Sequence, residues 1–122
     1  MRFEFDDTSR PGVVHLQGRL SGGADASTWH EALRQRCARG QPRIVVDCRN
    51  VDAVDATGLG ALVGALAVMR NAGGDLAIAC TPDALRSLLL ITRLAHALPC
   101  FDTVDAAAEA LEDLSRVPSA SR

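Results

Sequence analysis

The sequence predicts a single α/β domain: helices packed on a mostly parallel mixed sheet with an antiparallel first strand. Three features point there. Strand-like and helix-like segments follow one another in the order ββαβαβαβα, Ile44-Val45-Val46 is a continuous β-branched run of the kind buried on both faces, and the helical segments carry apolar stripes. Alternation of this kind requires parallel pairing through right-handed crossovers. At 122 residues and 12.9 kDa the chain suffices for one core and is short for two.

Each element has its own signal. Arg2-Phe3-Glu4-Phe5-Asp6 alternates, Pro11-Gly12 turns the chain, and Val14, Leu16, Gly18 and Leu20 alternate with His15, Gln17 and Arg19, so the chain opens as a hairpin. Ser21-Gly22-Gly23-Ala24 then leads to Asp25 as a helix cap, or Thr28 and Glu31 form a capping box. Trp29, Leu33 and Cys37 share one side of that helix, which ends at Gly40. The buried strand at 44–46 runs through Asp47 toward Val51-Asp52-Ala53-Val54-Asp55. Leu59, Leu62, Val63, Leu66 and Met69 form the stripe of the next helix, which stops at Gly73-Gly74. Leu76-Ala77-Ile78-Ala79 is another buried strand. Thr81-Pro82 reads as cap and first helical residue, with Leu85, Leu88 and Leu89 as the buried face. Cys100-Phe101 is a short last strand, and a helix opening at Thr103 presents Val104, Ala107, Leu111 and Leu114. Residues 1–114 thus form the domain, and 115–122 read as a disordered polar tail.

Composition excludes several chemistries. All 13 basic residues are Arg, so no ammonium group is available for a phosphate-binding lysine loop, a Schiff base or a receiver domain's strand-end lysine. The net charge of −2, the scattered arginines and four Phe and Trp residues in all leave no footprint for nucleic acid. Cys37, Cys48, Cys80 and Cys100 lack the paired spacings of zinc or redox sites and read as reduced, small hydrophobes of a cytoplasmic protein. The chain offers no membrane-inserting segment, no nucleophile elbow and no catalytic cluster. No enzymatic activity and no cofactor are therefore expected.

The distinctive segment is Val54-Asp55-Ala56-Thr57-Gly58-Leu59-Gly60, placed where a strand's carboxyl end meets a helix N-terminus. There Thr57 stands beside unpaired backbone N–H groups, in a position that favours negative charge. The plainer alternative is that Asp55 or Thr57 caps the helix and does nothing more.

That motif, taken with Val13 to Leu20, Arg43-Ile44-Val45-Val46-Asp47, Ala72 to Leu76 and Leu88 to Leu94, resembles the STAS domain of bacterial anti-sigma factor antagonists, found also at the C-termini of sulfate transporters. The resemblance covers about residues 3–114. It implies a protein-binding switch. Thr57 corresponds to the family's phosphorylation site, the unphosphorylated form captures a serine-kinase anti-sigma factor, and a metal-dependent phosphatase restores that form. Ser21, Gly22, Asp25, Asp55, Ala56, Gly58 and Leu59 are then the expected partner-binding residues. Ala56 stands where antagonists usually have Ser, Thr57 replaces the commoner Ser, Ser21-Gly22-Gly23 replaces a frequent Asp, and Arg93 replaces a common Gly. The alternative within the family is a constitutive subunit of a lipid-transport ATP-binding-cassette complex or a stress-signalling scaffold. Some family members also bind nucleotides.

Overall fold

Ile44, Val45 and Val46 are all fully buried, which requires cover on both sides of the strand that carries them. The computed structural model, which describes residues 2–8, 11–21 and 24–116 apart from the side chains of 24–25 and 113–116, supplies that cover. Its elements are β1 (Arg2–Asp6), β2 (Gly12–Leu20), α1 (Ala24–Ala38), β3 (Arg43–Val54), α2 (Ala56–Asn71), β4 (Asp75–Ala79), α3 (Asp83–Thr92) and α4 (Val104–Arg116). The strands lie in the order β1-β2-β3-β4. β1 pairs antiparallel with β2, Phe3 opposite Leu16, and the other two pairings are parallel, with Val14 beside Val46 and Val46 beside Ile78.

Side-chain alternation divides the core. Val14, Leu16, Ile44, Val46, Leu76 and Ile78 join Trp29 and Leu33 of α1, Leu62 and Leu66 of α2, and Leu85 and Leu89 of α3. Val13, Val45, Ala77 and Ala79 face the other way and meet Ala107 and Leu111 of α4. Val63 and Leu88 are only partly buried against the first cluster, at the margins of their stripes.

Several local expectations change. α1 starts at Ala24, so Asp25 lies within its first turn rather than ahead of it, and Thr28 lies deeper in the helix than a capping-box start. Thr81 does not cap α3: its N–H and hydroxyl both donate to the Phe101 carbonyl, at 3.4 and 3.0 Å, and Pro82 takes the cap position without a side-chain bond. The expected last strand shrinks to one parallel bridge between Ile78 and Cys100. Pro99 has no N–H to extend the ladder, and the next helix begins four residues after Cys100. Thr103 does cap that helix, its hydroxyl accepting from the Ala106 N–H at 3.0 Å. α4 runs to Arg116, two residues beyond the expected edge of the tail, while Leu114's side chain and residues 117–122 lie outside the described residues.

The end of α2 follows its sequence signal. Gly73 has φ +85°, and the N–H groups of Gly73 and Gly74 bond to the Arg70 and Met69 carbonyls at 3.1 and 2.7 Å, a Schellman motif. This stop turns the chain directly into β4.

Candidate partner-binding site

β3 ends at Val54, and Asp55, with φ −111° and ψ −180°, turns it into α2. The geometry separates the two capping candidates. Asp55 is the cap: its Oδ1 accepts the Gly58 N–H at 2.7 Å and the Thr57 hydroxyl at 2.6 Å. Its Oδ2 accepts the Ser21 hydroxyl at 3.2 Å and a guanidinium N–H of Arg19 at 3.4 Å. One carboxylate therefore joins the end of β2 to the first turn of α2.

The backbone tightens the same junction. The Asp55 N–H donates to the Leu20 carbonyl at 3.4 Å, and a Cβ on Gly58 would sit 1.9 Å from that carbonyl oxygen. Only glycine fits. Gly58 and Leu59 are buried, Leu59 at 3% exposure in the main core, so they seat the helix and present no surface to a partner. Ala56 and Thr57 are exposed, Ser21 and Asp55 half-buried. Gly22 and the side chain of Asp25 lie outside the described residues.

Electrostatics follow from these bonds. The Thr57 hydroxyl first, then the Gly58 N–H, with smaller help from Ser21 and Arg19, hold the Asp55 carboxyl at about 2 against a weaker opposing effect of desolvation. So stable an anion is a poor proton acceptor. Asp55 orients Thr57 rather than activating it, and Thr57 itself is exposed at the N-terminus of α2.

Sequence reasoning missed Arg19 as a member of this group. The signal lay in Gly18, whose φ of +85° and adjoining register shifts against β3 mark a bulge that re-aims the end of β2. A second pair was also missed: Asp47, 3% exposed, accepts from His15 Nδ1 at 2.8 Å and from the Arg49 N–H at 2.9 Å. An Asp closing a buried apolar run calls for such partners.

Other features lie apart from the site. Two clefts of about 370 and 360 Å³ are lined by residues such as Gln41, Pro42 and Arg43, and Arg2, Glu4 and His15, with neither Asp55 nor Thr57 among them. All four cysteines are free, and burial pushes the Cys48 thiol up to about 12. Among the described residues no group of three His, Cys, Asp or Glu could hold a metal ion, and no helix is long and apolar enough to cross a membrane.

The family profile of the STAS domain matches residues 2–107. No curated protein matches the chain at significant similarity. Among solved structures, an anti-sigma factor antagonist from Mycobacterium paratuberculosis aligns with a TM-score of 0.74 at 22% identity, over 92% of this chain and 94% of that one. A Ser-to-Glu variant of RsbS from Moorella thermoacetica gives 0.76 at 15%, over 96% and 100%. The Bacillus cell fate determinant SpoIIAA in its phosphorylated form gives 0.63 at 16%, over 96% and 100%. These likenesses carry the fold, and the profile match carries the family. The chain, with its four-stranded mixed sheet and its Asp55-Ala56-Thr57-Gly58-Leu59 turn, belongs to the STAS domain family.

Proposed function

We infer that this protein is a cytoplasmic anti-sigma factor antagonist, a binding module without catalytic activity of its own that is switched by phosphorylation of Thr57. The unphosphorylated form captures a serine-kinase anti-sigma factor through Ser21, Asp55 and Ala56, together with Gly22 and Asp25. That kinase transfers the γ-phosphoryl of ATP to the Thr57 Oγ, releasing ADP and a proton, and a metal-dependent phosphatase hydrolyses the ester. The observation that supports this reading is the exposed Thr57 hydroxyl, tied to Asp55 at 2.6 Å at the start of α2, the position that the family resemblance makes the acceptor.

The test incubates the protein with the candidate kinase and ATP, maps the phosphate by mass spectrometry, and compares partner affinity of wild type, Thr57→Ala and Thr57→Glu. Phosphate on Thr57 and a loss of affinity of about a hundredfold for Thr57→Glu, equivalent to about 2.8 kcal/mol, are expected. No phosphate on Thr57, together with equal affinity of all three proteins, would overturn the switch in favour of a constitutive subunit.

A further inference from the structure

We propose that Arg19 is the built-in counter-charge of the switch, leaving the Asp55 carboxylate to bind the phosphate when Thr57 is phosphorylated. The proposal rests on the reading of Thr57 as the modified residue and adds how the protein accommodates that modification.

The two oxygens of Asp55 divide its donors. Thr57 and the Gly58 N–H occupy Oδ1, and Ser21 and Arg19 occupy Oδ2, so Thr57 and Arg19 flank a single carboxylate. Phosphorylation replaces the hydroxyl proton of Thr57, and Oδ1 loses that donor. It also sets about −1.5 to −2 charge beside an anion that is already fully ionised. Something must separate the two. The first turn of α2 contains no acidic residue to add to the repulsion, and the Gly58 N–H is already committed to Asp55. Ser21 supplies only a neutral hydroxyl. Among the described residues, Arg19 is the cation bonded to this cluster.

Arg19 is also free to change partners. Its bond to Asp55 is long, at 3.4 Å, uses one nitrogen, and its side chain is 66% exposed, so little holds it there. A phosphate offers three strong acceptor oxygens to the guanidinium fork, a charge-assisted pairing stronger than a single stretched bond to carboxylate. The bulge at Gly18 lies just before Arg19, and because Arg19 and Thr57 bond the two oxygens of one carboxylate, at 3.4 and 2.6 Å, the guanidinium already stands one carboxylate away from the Thr57 hydroxyl. A partner approaching the phosphorylated form therefore meets a new anion and also loses an arginine that was available to its own carboxylates.

The test uses full-length protein with phosphothreonine incorporated at position 57 during translation, so that it needs no kinase, and follows the second ionisation of the phosphate by 31P NMR. Asp55 raises that pKa and Arg19 lowers it. Arg19→Gln should raise it by about half a unit to one unit, a three- to tenfold gain in proton affinity, and Arg19→Lys should restore part of the difference. Superimposable titrations of wild type and Arg19→Gln, with both proteins folded by their amide spectra, would overturn the proposal. Partner affinity measured on the same samples keeps the two ideas apart. Binding lost on phosphorylation with an Arg19-independent pKa removes the counter-charge and leaves the switch, whereas an Arg19-dependent pKa with unchanged binding confirms the contact and removes the switch.

Discussion

Asp55 carries the site because one short side chain does three things at once: it caps α2, fixes the Thr57 hydroxyl and receives donors from the end of β2. Each donor bonds the charged form, so the folded-state pKa of about 2 lies below the ordinary 3.8. The sign follows directly. A group depressed on folding stabilises the protein above its unfolded pKa, and that contribution is lost as pH falls from about 3.8 toward 2. Asp55→Asn should therefore be less stable than wild type at neutral pH, and the gap should narrow through that acid window, as urea denaturation midpoints at several pH values would register. A gap constant with pH would detach the carboxylate's charge from its role. Asp55 and Thr57 were legible in the sequence because cap chemistry and the motif both mark them. Arg19 was not, since its part depends on a bulge that alternation alone cannot locate. Arg93 shows the reverse: the position that commonly holds Gly ends α3 with φ +60°, so the arginine accepts a left-handed backbone that glycine takes without strain.

At the level of the element, α2 is held by contrast between two glycines of one motif. Gly58 faces the Leu20 carbonyl, where a Cβ would come within 1.9 Å, and Gly60 is exposed with nothing within 4 Å of the same added atom. The sequence marks both alike; only their phase on the helix against β2 separates them. Gly58→Ala should cost about 1–3 kcal/mol or more by driving the first turn away from β2. Gly60→Ala should stabilise by about 0.4–1 kcal/mol, through helix propensity and a less flexible unfolded chain. Thermal denaturation of the two variants tests the seating of α2, and equal effects would contradict it. The same limit explains the missed start of α3. Ser, Thr and Asp are capping residues by type, but tertiary partners decide whether they cap. The Phe101 carbonyl claims Thr81, while Thr103, where the sequence opens the last helix, keeps its hydroxyl for the Ala106 N–H and caps α4.

For the whole molecule, the sheet isolates the site from the rest of the core. Thr57 is exposed at the carboxyl end of β3, whereas the α4 face is built from Val13, Val45, Ala77, Ala107 and Leu111 on the far side of the sheet. Fold class and the antiparallel first strand were readable from the order of the elements, and the buried runs of β3 and β4 and the stripe of α2 from hydrophobic period, whereas which helix covers which face of the sheet was not, because a stripe marks a buried side without naming what covers it. That architecture predicts a switch that changes surface and not shape. Phosphorylation removes one exposed hydrogen bond, worth about 0.5–1.5 kcal/mol, and adds an anion at a helix N-terminus, worth about 0.3–1 kcal/mol in the opposite sense. With the repulsion from Asp55 met by Arg19 at the exposed surface, these effects nearly cancel, so the melting temperature should move by only a few degrees. Backbone NMR of the phosphorylated protein should show shifts confined to Arg19–Ser21 and Asp55–Leu59, with Val45, Ala77 and Leu111 unmoved. Shifts spreading through the α4 face would mean that the signal travels by rearrangement of the fold, and the local account of the switch would fail.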